Sequence, residues 1–490
     1  MSKPSEIALL CLAIAALQAC SGSSQQQQTG HLTREQLLDP QTCAGCHPQQ
    51  YSEWAGSMHA YSSQDPVFRA MNQRGQRETQ GALGSFCVKC HAPMAVHEGA
   101  TTDGLNLDQV PSKLRGVTCF FCHSTQSVEG THDNPLKLAN DEVMYASIAD
   151  PVASGRVHGA SYSPLLDRNR AESAATCGSC HDIVSPHGGA IERTFSEWQK
   201  SAFSATTGTT CAQCHMPQST SDVPAASVPG APLRRTHGHT FAAVDTAITP
   251  FPDVQRQRDQ VQALLDSTMQ SAICVEPFGG GSQVSVIIDN AAAGHAFPSG
   301  SAQDRRLWLE LIAYQNGTVV YHSGDLADTD SVTASTDPDL WLMRDCMFDA
   351  SGAQVHMFWE AASFETNALP ALTTFNPSDP NFYQTHKTRF FPANGAAIVP
   401  APDRITLRVR LRAMGLDVLD NLIASGDLDP QFRTAMPTFT VGGTLEWTKA
   451  AATRTYVDRN TNALVFCATN SNLNVQADKF PAPTRTRCAP

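Results

Sequence analysis

Five copies of the pattern Cys-x-x-Cys-His carry the most readily interpreted chemistry of this chain. They are Cys43-Ala-Gly-Cys46-His47, Cys87-Val-Lys-Cys90-His91, Cys119-Phe-Phe-Cys122-His123, Cys177-Gly-Ser-Cys180-His181 and Cys211-Ala-Gln-Cys214-His215. Two thiols at this spacing can each bond one vinyl group of the same haem, and the adjacent histidine then binds the iron as its proximal ligand. Zinc sites and redox dithiols also use Cys-x-x-Cys, but neither needs a histidine after every second cysteine. The pattern therefore predicts five covalently attached c-type haems.

The other histidines are candidates for the distal ligand on the opposite side of each iron. The chain has 17 His, so twelve remain after the five proximal ones. A second histidine makes the iron six-coordinate, which suits electron transfer, whereas an open position binds a small molecule. Their places along the chain favour His59, His158 and His237 as distal ligands, followed by His132 and His239. The reserves are His97, His187 and His295, and ligation by His295 would join the haem region to the later part of the chain.

The density of haem motifs predicts how this region is built. Five haems between residues 43 and 215 leave roughly 35 residues for each, and so little polypeptide buries little apolar surface of its own. The porphyrins must then form much of the core and pack close to one another. Such packing lets electrons pass from haem to haem, so we expect an electron-transferring region.

Composition limits the remaining classes. Lys and Arg number 34 against 46 Asp and Glu, which gives a formal net charge of −12. The chain has no basic run and no interleaving of basic and aromatic residues, so we expect no nucleic-acid partner. Redox proteins are the expected partners, and nothing in the sequence indicates the oligomeric state.

The N-terminus resembles an export signal. Residues 1–19 combine Lys3 with a short apolar stretch, and Leu17-Gln18-Ala19-Cys20 resembles the cleavage site of bacterial lipoproteins. Lipidation of Cys20, followed by a flexible tether over residues 20–40, would anchor an exported protein to the cell membrane or outer membrane. An ordinary secretory signal with an incidental cysteine is the alternative.

Four further cysteines lie late in the chain: Cys274, Cys346, Cys467 and Cys488. In an oxidising compartment they can form two disulfides, with three possible pairings. Free buried thiols are the alternative.

The patterning predicts an α+β fold with two domains. The first, over residues 41–272, is a loop-rich, mainly α pentahaem cytochrome c domain, and the second, over 273–490, is β-sandwich-like. Strand-like segments are 283–289, 307–314, 404–412 and 438–447, and helices are expected over 253–269 and 417–424.

Three stretches outside the haem motifs are distinctive. They are Gln50-Tyr51-Ser-Glu-Trp54-Ala-Gly-Ser-Met-His59 with Asp65-Pro66-Val-Phe68, Thr194-Phe-Ser-Glu-Trp198-Gln-Lys-Ser201 leading to Cys214-His215-Met216-Pro217, and Gly294-His295-Ala-Phe-Pro298-Ser-Gly300. With them the chain resembles the multihaem c-type cytochromes related to hydroxylamine oxidoreductase and its tetrahaem electron acceptor, across most of residues 41–450. The resemblance implies stacked haems with two histidine ligands each, and an appended C-terminal β domain. The chain has no Cys-x-x-Cys-Lys motif, which marks the catalytic haem of pentahaem nitrite reductases.

Three functions remain open at this point. The first is an anchored electron carrier of a respiratory chain. The second is an oxidoreductase in which one open haem acts on a small nitrogen or sulfur compound. The third makes the β domain a partner-binding or surface-attachment module with the haems behind it.

Overall fold

The computed structural model describes residues 31–148, 157–476, 480 and 487–488. The predicted signal peptide, the lipidation site Cys20 and the first part of the tether lie outside these residues. Within the described part, no helix is both long enough and apolar enough to cross a bilayer.

The last ten residues of the predicted tether are packed rather than free. Thr33 and Gln36 form a reciprocal capping box at the start of a helix, Arg34–Leu37. Leu32, Leu37 and Leu38 are buried in a cluster with residues of the second and third haem motifs. Residues 31–40 therefore depart from the prediction, because their leucines supply apolar surface to a core that has little of its own.

The haem-motif half consists of short helices joined by loops. The helices are α1 (Arg34–Leu37), α2 (Pro40–Ala44), α3 (Pro48–Ala55), α4 (Met58–Tyr61), α5 (Pro66–Glu78), α6 (Val88–His91), α7 (Pro93–His97), α8 (Cys119–His123), α9 (Ser173–His181), α10 (Thr194–Gln199) and α11 (Cys211–His215). Four of them begin with proline at their first position, where the missing N–H costs no hydrogen bond.

Eight short strands also occur in this half, where the sequence showed little strand patterning. They are β1 (Thr125–Val128), β2 (Leu136–Leu138), β3 (Val143–Ala146), β4 (Gly159–Tyr162), β5 (Asp182–Val184), β6 (Ala190–Arg193), β7 (Val223–Pro224) and β8 (Leu233–Arg234). They form four separate two-stranded sheets, β1-β2, β3-β4, β5-β6 and β7-β8, of which β3-β4 is parallel. Strands of two to four residues are too short to show an alternating pattern.

The elements after residue 250 include longer helices and strands, which lie close to the predicted ones. The helices are α12 (Val254–Thr268), α13 (Leu416–Ala424) and α14 (Gln431–Ala435). The strands are β9 (Gln270–Phe278), β10 (Gly281–Asp289), β11 (Arg306–Gln315), β12 (Thr318–Ser323), β13 (Leu342–Met343), β14 (Asp345–Phe348), β15 (Gln354–Val355), β16 (Ser363–Thr366), β17 (His386–Phe391), β18 (Arg404–Arg412), β19 (Thr438–Thr448), β20 (Arg454–Val457) and β21 (Leu464–Thr469).

Two antiparallel five-stranded sheets dominate this second half. One has the order β17-β10-β9-β21-β20, and the other has the order β12-β11-β18-β19 with β13 beside β11. Inward residues of both sheets, among them Val286, Leu309 and Leu407, belong to one buried cluster. Val261 and Leu265 of α12 join the same cluster, so this helix packs on the sheets. One face of each long strand thus lies in this shared core, and β10 and β11 are buried on the other face as well, where Ile287 and Trp308 belong to separate clusters.

The two halves of the chain share a second core. Val67 and Met71 of α5 pack with Leu419 and Leu422 of α13 in one buried cluster. A Cβ at Gly75 would lie 2.9 Å from the Trp359 ring, so glycine allows this close approach.

Both predicted disulfides are present, and the structure selects the pairing. Cys274 bonds to Cys467, which joins β9 to β21, and Cys346 bonds to Cys488 near the C-terminus. The alternative of free thiols is excluded for these four residues.

Candidate haem centres

Short helical turns present the haem motifs. The third and fifth motifs coincide with α8 and α11, and the second and fourth end α6 and α9. Thiols three residues apart lie on the same face of such a turn. All ten motif cysteines are free of disulfides, as thioether attachment requires. We number the haems one to five by the order of their motifs.

Hydrogen bonds fix the tautomer of four proximal histidines. Nδ1 contacts a backbone carbonyl oxygen in His47, His91, His123 and His215, at 3.1, 3.2, 2.6 and 2.7 Å. Because a carbonyl oxygen only accepts, Nδ1 must carry the proton and donate it. Nε2 is then bare and available to a metal, which is the usual arrangement of ligating histidines.

Three of the histidines outside the motifs show the same arrangement. Nδ1 of His158, His239 and His295 contacts the carbonyl oxygens of Gly159, His237 and Ala296 at 2.9, 3.0 and 2.7 Å. These three rings are therefore prepared as ligands in the same way as the proximal ones.

Three proximal histidines face a second histidine ring across a gap that fits an iron. The ring centres are 6.4 Å apart for His47 and His158, 6.4 Å for His123 and His239, and 6.5 Å for His59 and His181. With metal–imidazole bonds of about 2.0 Å, two rings bound to one metal ion have centres about 6.3 Å apart. Haems one, three and four thus fit His158, His239 and His59 as distal ligands.

Burial keeps these rings neutral, as ligation requires. Burial, with repulsion from His181 and His91, lowers the pKa of His59 to about 3. Burial also lowers the pKa of His239 to about 4, with a further contribution from His123.

The fifth haem fits a ligand from the second half of the chain. Burial and the nearby His295 and His181 lower the pKa of His215 to about 4, against the hydrogen bond to Ala242. His295 follows β10 and was a reserve in the sequence analysis. Its bare Nε2 and its nearness to His215 make it the candidate distal ligand of haem five.

The second haem motif differs from the first, third and fourth. Among the described residues, no histidine ring forms a ring contact with His91, whose imidazole instead stacks on Phe68 at 3.9 Å and 8°. All 17 His lie in the described part of the chain, so no unseen histidine remains to fill this place.

Four other histidines lie elsewhere. Nδ1 of His132 pairs with the carboxylate of Asp133, and Nδ1 of His97 pairs with Glu98. The charged neighbours of His237 are Arg168 and Asp167. His187 lies in the turn between β5 and β6, where its N–H donates to Ser185. The structure brings none of these four into ring contact with a motif histidine within its described residues.

Thiols of different motifs interact with one another. The pairs are Cys43 with Cys119, Cys90 with Cys180, and Cys177 with Cys211. Burial, with Cys177 and Cys180 nearby, raises the pKa of Cys122 to about 12. Each sulfur would hold one edge of a haem, so these interactions would place haem one beside haem three, and haem four beside haems two, three and five.

The alternative of a zinc site finds no support in the geometry. Across the described ranges, no three His, Cys, Asp or Glu side chains converge as a metal ion held by protein ligands alone would need.

Comparisons with known proteins agree with the haem interpretation. The family model described as cytochrome c554 and c-prime matches residues 42–124. The crystal structure of a penta-heme cytochrome c552 from Thermochromatium tepidum superposes with a TM-score of 0.55 at 19% sequence identity, covering 84% of this chain and 99% of that one. No match was found among curated proteins. The motifs, the family model and the shared fold together support a multihaem c-type cytochrome with covalent haem c and a general role in electron transfer.

Proposed function

We propose that this chain is an exported pentahaem c-type cytochrome that passes electrons between redox partner proteins in a respiratory chain. The carrying observation is that interactions between thiols of different motifs link all five motifs into one network, in which the fourth motif has three neighbours. Haem c supplies a one-electron redox centre when it is bound.

The chain's own residues have two tasks in this proposal. Histidine pairs hold four irons in one coordination state, so that little rearrangement accompanies electron transfer. Backbone carbonyls hold Nδ1–H of six of these eight histidines, all except His59 and His181, and fix their ring orientation. His59 and His158 lie far in sequence from the motifs of the haems they would ligate, so each iron–histidine bond would join distant segments of the haem-motif half.

Haem content is the direct test of this proposal. A pyridine haemochrome assay together with the intact mass is expected to give five covalent haems for each chain. Four or fewer would contradict the pentahaem count and break the proposed series.

A second candidate function arises from His91. Haem two lacks an opposing histidine, which favours an oxidoreductase that acts there on a small nitrogen or sulfur compound. Titration with cyanide or nitrite separates the two candidates. A carrier whose haem two is closed to small molecules leaves the spectrum unchanged, whereas an open haem two binds one equivalent for each chain.

We further propose that a lipid on Cys20 anchors the protein to a membrane outside the cytoplasm. The support is the lipobox-like sequence Leu17-Gln18-Ala19-Cys20. The partners would then be redox proteins at the same membrane.

A further inference from the structure

A short segment occurs twice in the haem-motif half with the same local structure. Ser52-Glu53-Trp54 lies on α3, and Ser196-Glu197-Trp198 lies on α10. After each tryptophan, the N–H of a serine three residues later donates to the tryptophan carbonyl, at 2.8 Å for Ser57 and 2.9 Å for Ser201. The two segments therefore present their glutamate and tryptophan side chains in a similar way.

Each tryptophan holds the start of a haem motif. Nε1 of Trp54 donates to the carbonyl of Val117 at 2.7 Å, two residues before Cys119 of the third motif. Nε1 of Trp198 donates to the carbonyl of Thr209 at 2.8 Å, two residues before Cys211 of the fifth motif. The repeated segment thus contacts the proximal side of haems three and five.

Each glutamate holds the loop that carries the opposing histidine. Oε2 of Glu53 accepts from the backbone N–H of His239 at 2.7 Å. Oε2 of Glu197 accepts from the N–H of Ala296, the residue after His295, at 3.2 Å and from Oγ of Ser299 at 2.7 Å. Within one segment, the tryptophan and the glutamate therefore contact opposite sides of the same haem centre.

The second of these carboxylates is itself held in place. The Glu197 side chain is only 17% exposed and lies 3.5 Å from Arg193, whose guanidinium also binds Asp345 of β14 at 2.5 Å. Thr194 of the same helix accepts from the N–H of Gly300 at 3.0 Å. A carboxylate fixed from two sides positions its partners more firmly than a free one.

We propose that Glu53 and Glu197 are positioning residues that hold His239 and His295 against the irons of haems three and five. Each copy of the Ser-Glu-Trp segment would then position both the haem motif and the distal histidine of one haem centre. This inference rests on the ligand pairs of the proposed function.

The test compares the spin states of ferric variants by electron paramagnetic resonance. His239→Ala and His295→Ala each define full loss of one distal ligand. Glu197→Ala removes two hydrogen bonds, and we expect the ratio of high-spin to low-spin haem five to rise about tenfold, equivalent to about 1.4 kcal/mol. Glu53→Ala removes only one hydrogen bond to the loop of the distal histidine, so a smaller rise is expected at haem three.

Three further variants make the comparison specific. Glu197→Gln keeps an acceptor oxygen and is expected to preserve the low-spin state. Glu192→Ala removes a 2.6 Å bond to Ser301 in the same loop, farther from His295, and is expected to leave the spin state unchanged. Ser299→Ala removes one Glu197 contact and decides the question if Glu197→Ala fails to fold.

The outcomes distinguish failure of the positioning role from failure of the proposed ligand pairs. If His295→Ala leaves the number of low-spin haems unchanged, the ligand assignment fails, and the role of Glu197 fails with it. If His295→Ala converts one haem but Glu197→Ala and Ser299→Ala do not, the positioning role is overturned while the ligand pair stands.

Discussion

Replacement of His59 by alanine tests the proposed haem series at its centre. His59 lies opposite His181, and its ring also packs against Phe241 with centres 4.4 Å apart. In the proposed arrangement, the thiol interactions place haem four next to haems two, three and five. Loss of this ligand therefore affects the proposed haem with the most neighbours.

The expected magnitude follows from the ligand pairs. The proposed pairs give haem four one distal histidine, so its loss is expected to lower the low-spin share by about one haem in five. Alanine leaves a space of the size of an imidazole, so added imidazole is expected to bind there and restore the low-spin signal. Loss of the second nitrogen ligand is also expected to raise the potential of haem four, so that it is reduced before its neighbours.

Spin quantitation of the ferric protein measures this change, followed by an imidazole titration. The matched control is His132→Ala, because His132 was also a candidate ligand but pairs with Asp133. We expect this control to keep every low-spin haem. An unchanged low-spin fraction in His59→Ala, or the same loss in His132→Ala, would refute the ligand assignment.

Three further predictions concern stability and location. Burial, against attraction from Arg306 and Arg305, raises the pKa of Asp304 from 3.8 to about 7, so its ionisation opposes folding increasingly as the pH rises from about 4 to 7. Between pH 4 and 7, the free energy of unfolding of Asp304→Asn is expected to fall by less than that of the unmodified protein, with a difference of up to about 4 kcal/mol. Urea denaturation at several pH values measures this, and an identical pH slope in the two proteins would contradict it. Cys274→Ser opens the disulfide to Cys467 and is expected to lower the free energy of unfolding by about 2–5 kcal/mol without changing the haem content in the pyridine haemochrome assay. Cys20→Ala is expected to move the protein from the membrane fraction to the soluble fraction, and a variant that stays membrane-bound after a salt wash would count against the anchor.

Regular periodicity explains which elements could be predicted from the sequence. Segments 283–289 and 404–412 are confirmed as parts of β10 and β18, because each strand buries one face against a shared core. The helix expected over 253–269 is confirmed as Val254–Thr268. The contact between α5 and α13 was not predictable, because it joins segments more than 300 residues apart and no local pattern records it.

Distal ligands were harder to predict than attachment sites. A haem motif is local, so its spacing alone identifies the attachment residues. A distal histidine is chosen by the fold, and closeness in sequence favoured His132 and His237 over His295. The repeated Ser-Glu-Trp sequence was a signal that could have indicated His239 and His295, since its glutamates contact the loops of these two histidines.

The order of the ligands along the chain has a consequence for biogenesis. In the proposed export of the chain from its N-terminus, His59 emerges before the fourth motif, whereas the proposed partners of haems one, three and five follow their motifs. His295 lies beyond β10, and its loop pairs with Leu369 still farther along the chain. Under the proposed ligation, haem five is therefore expected to stay open until the C-terminal half has folded. Maturation of the redox centres and folding of the β-sheets would then be completed together.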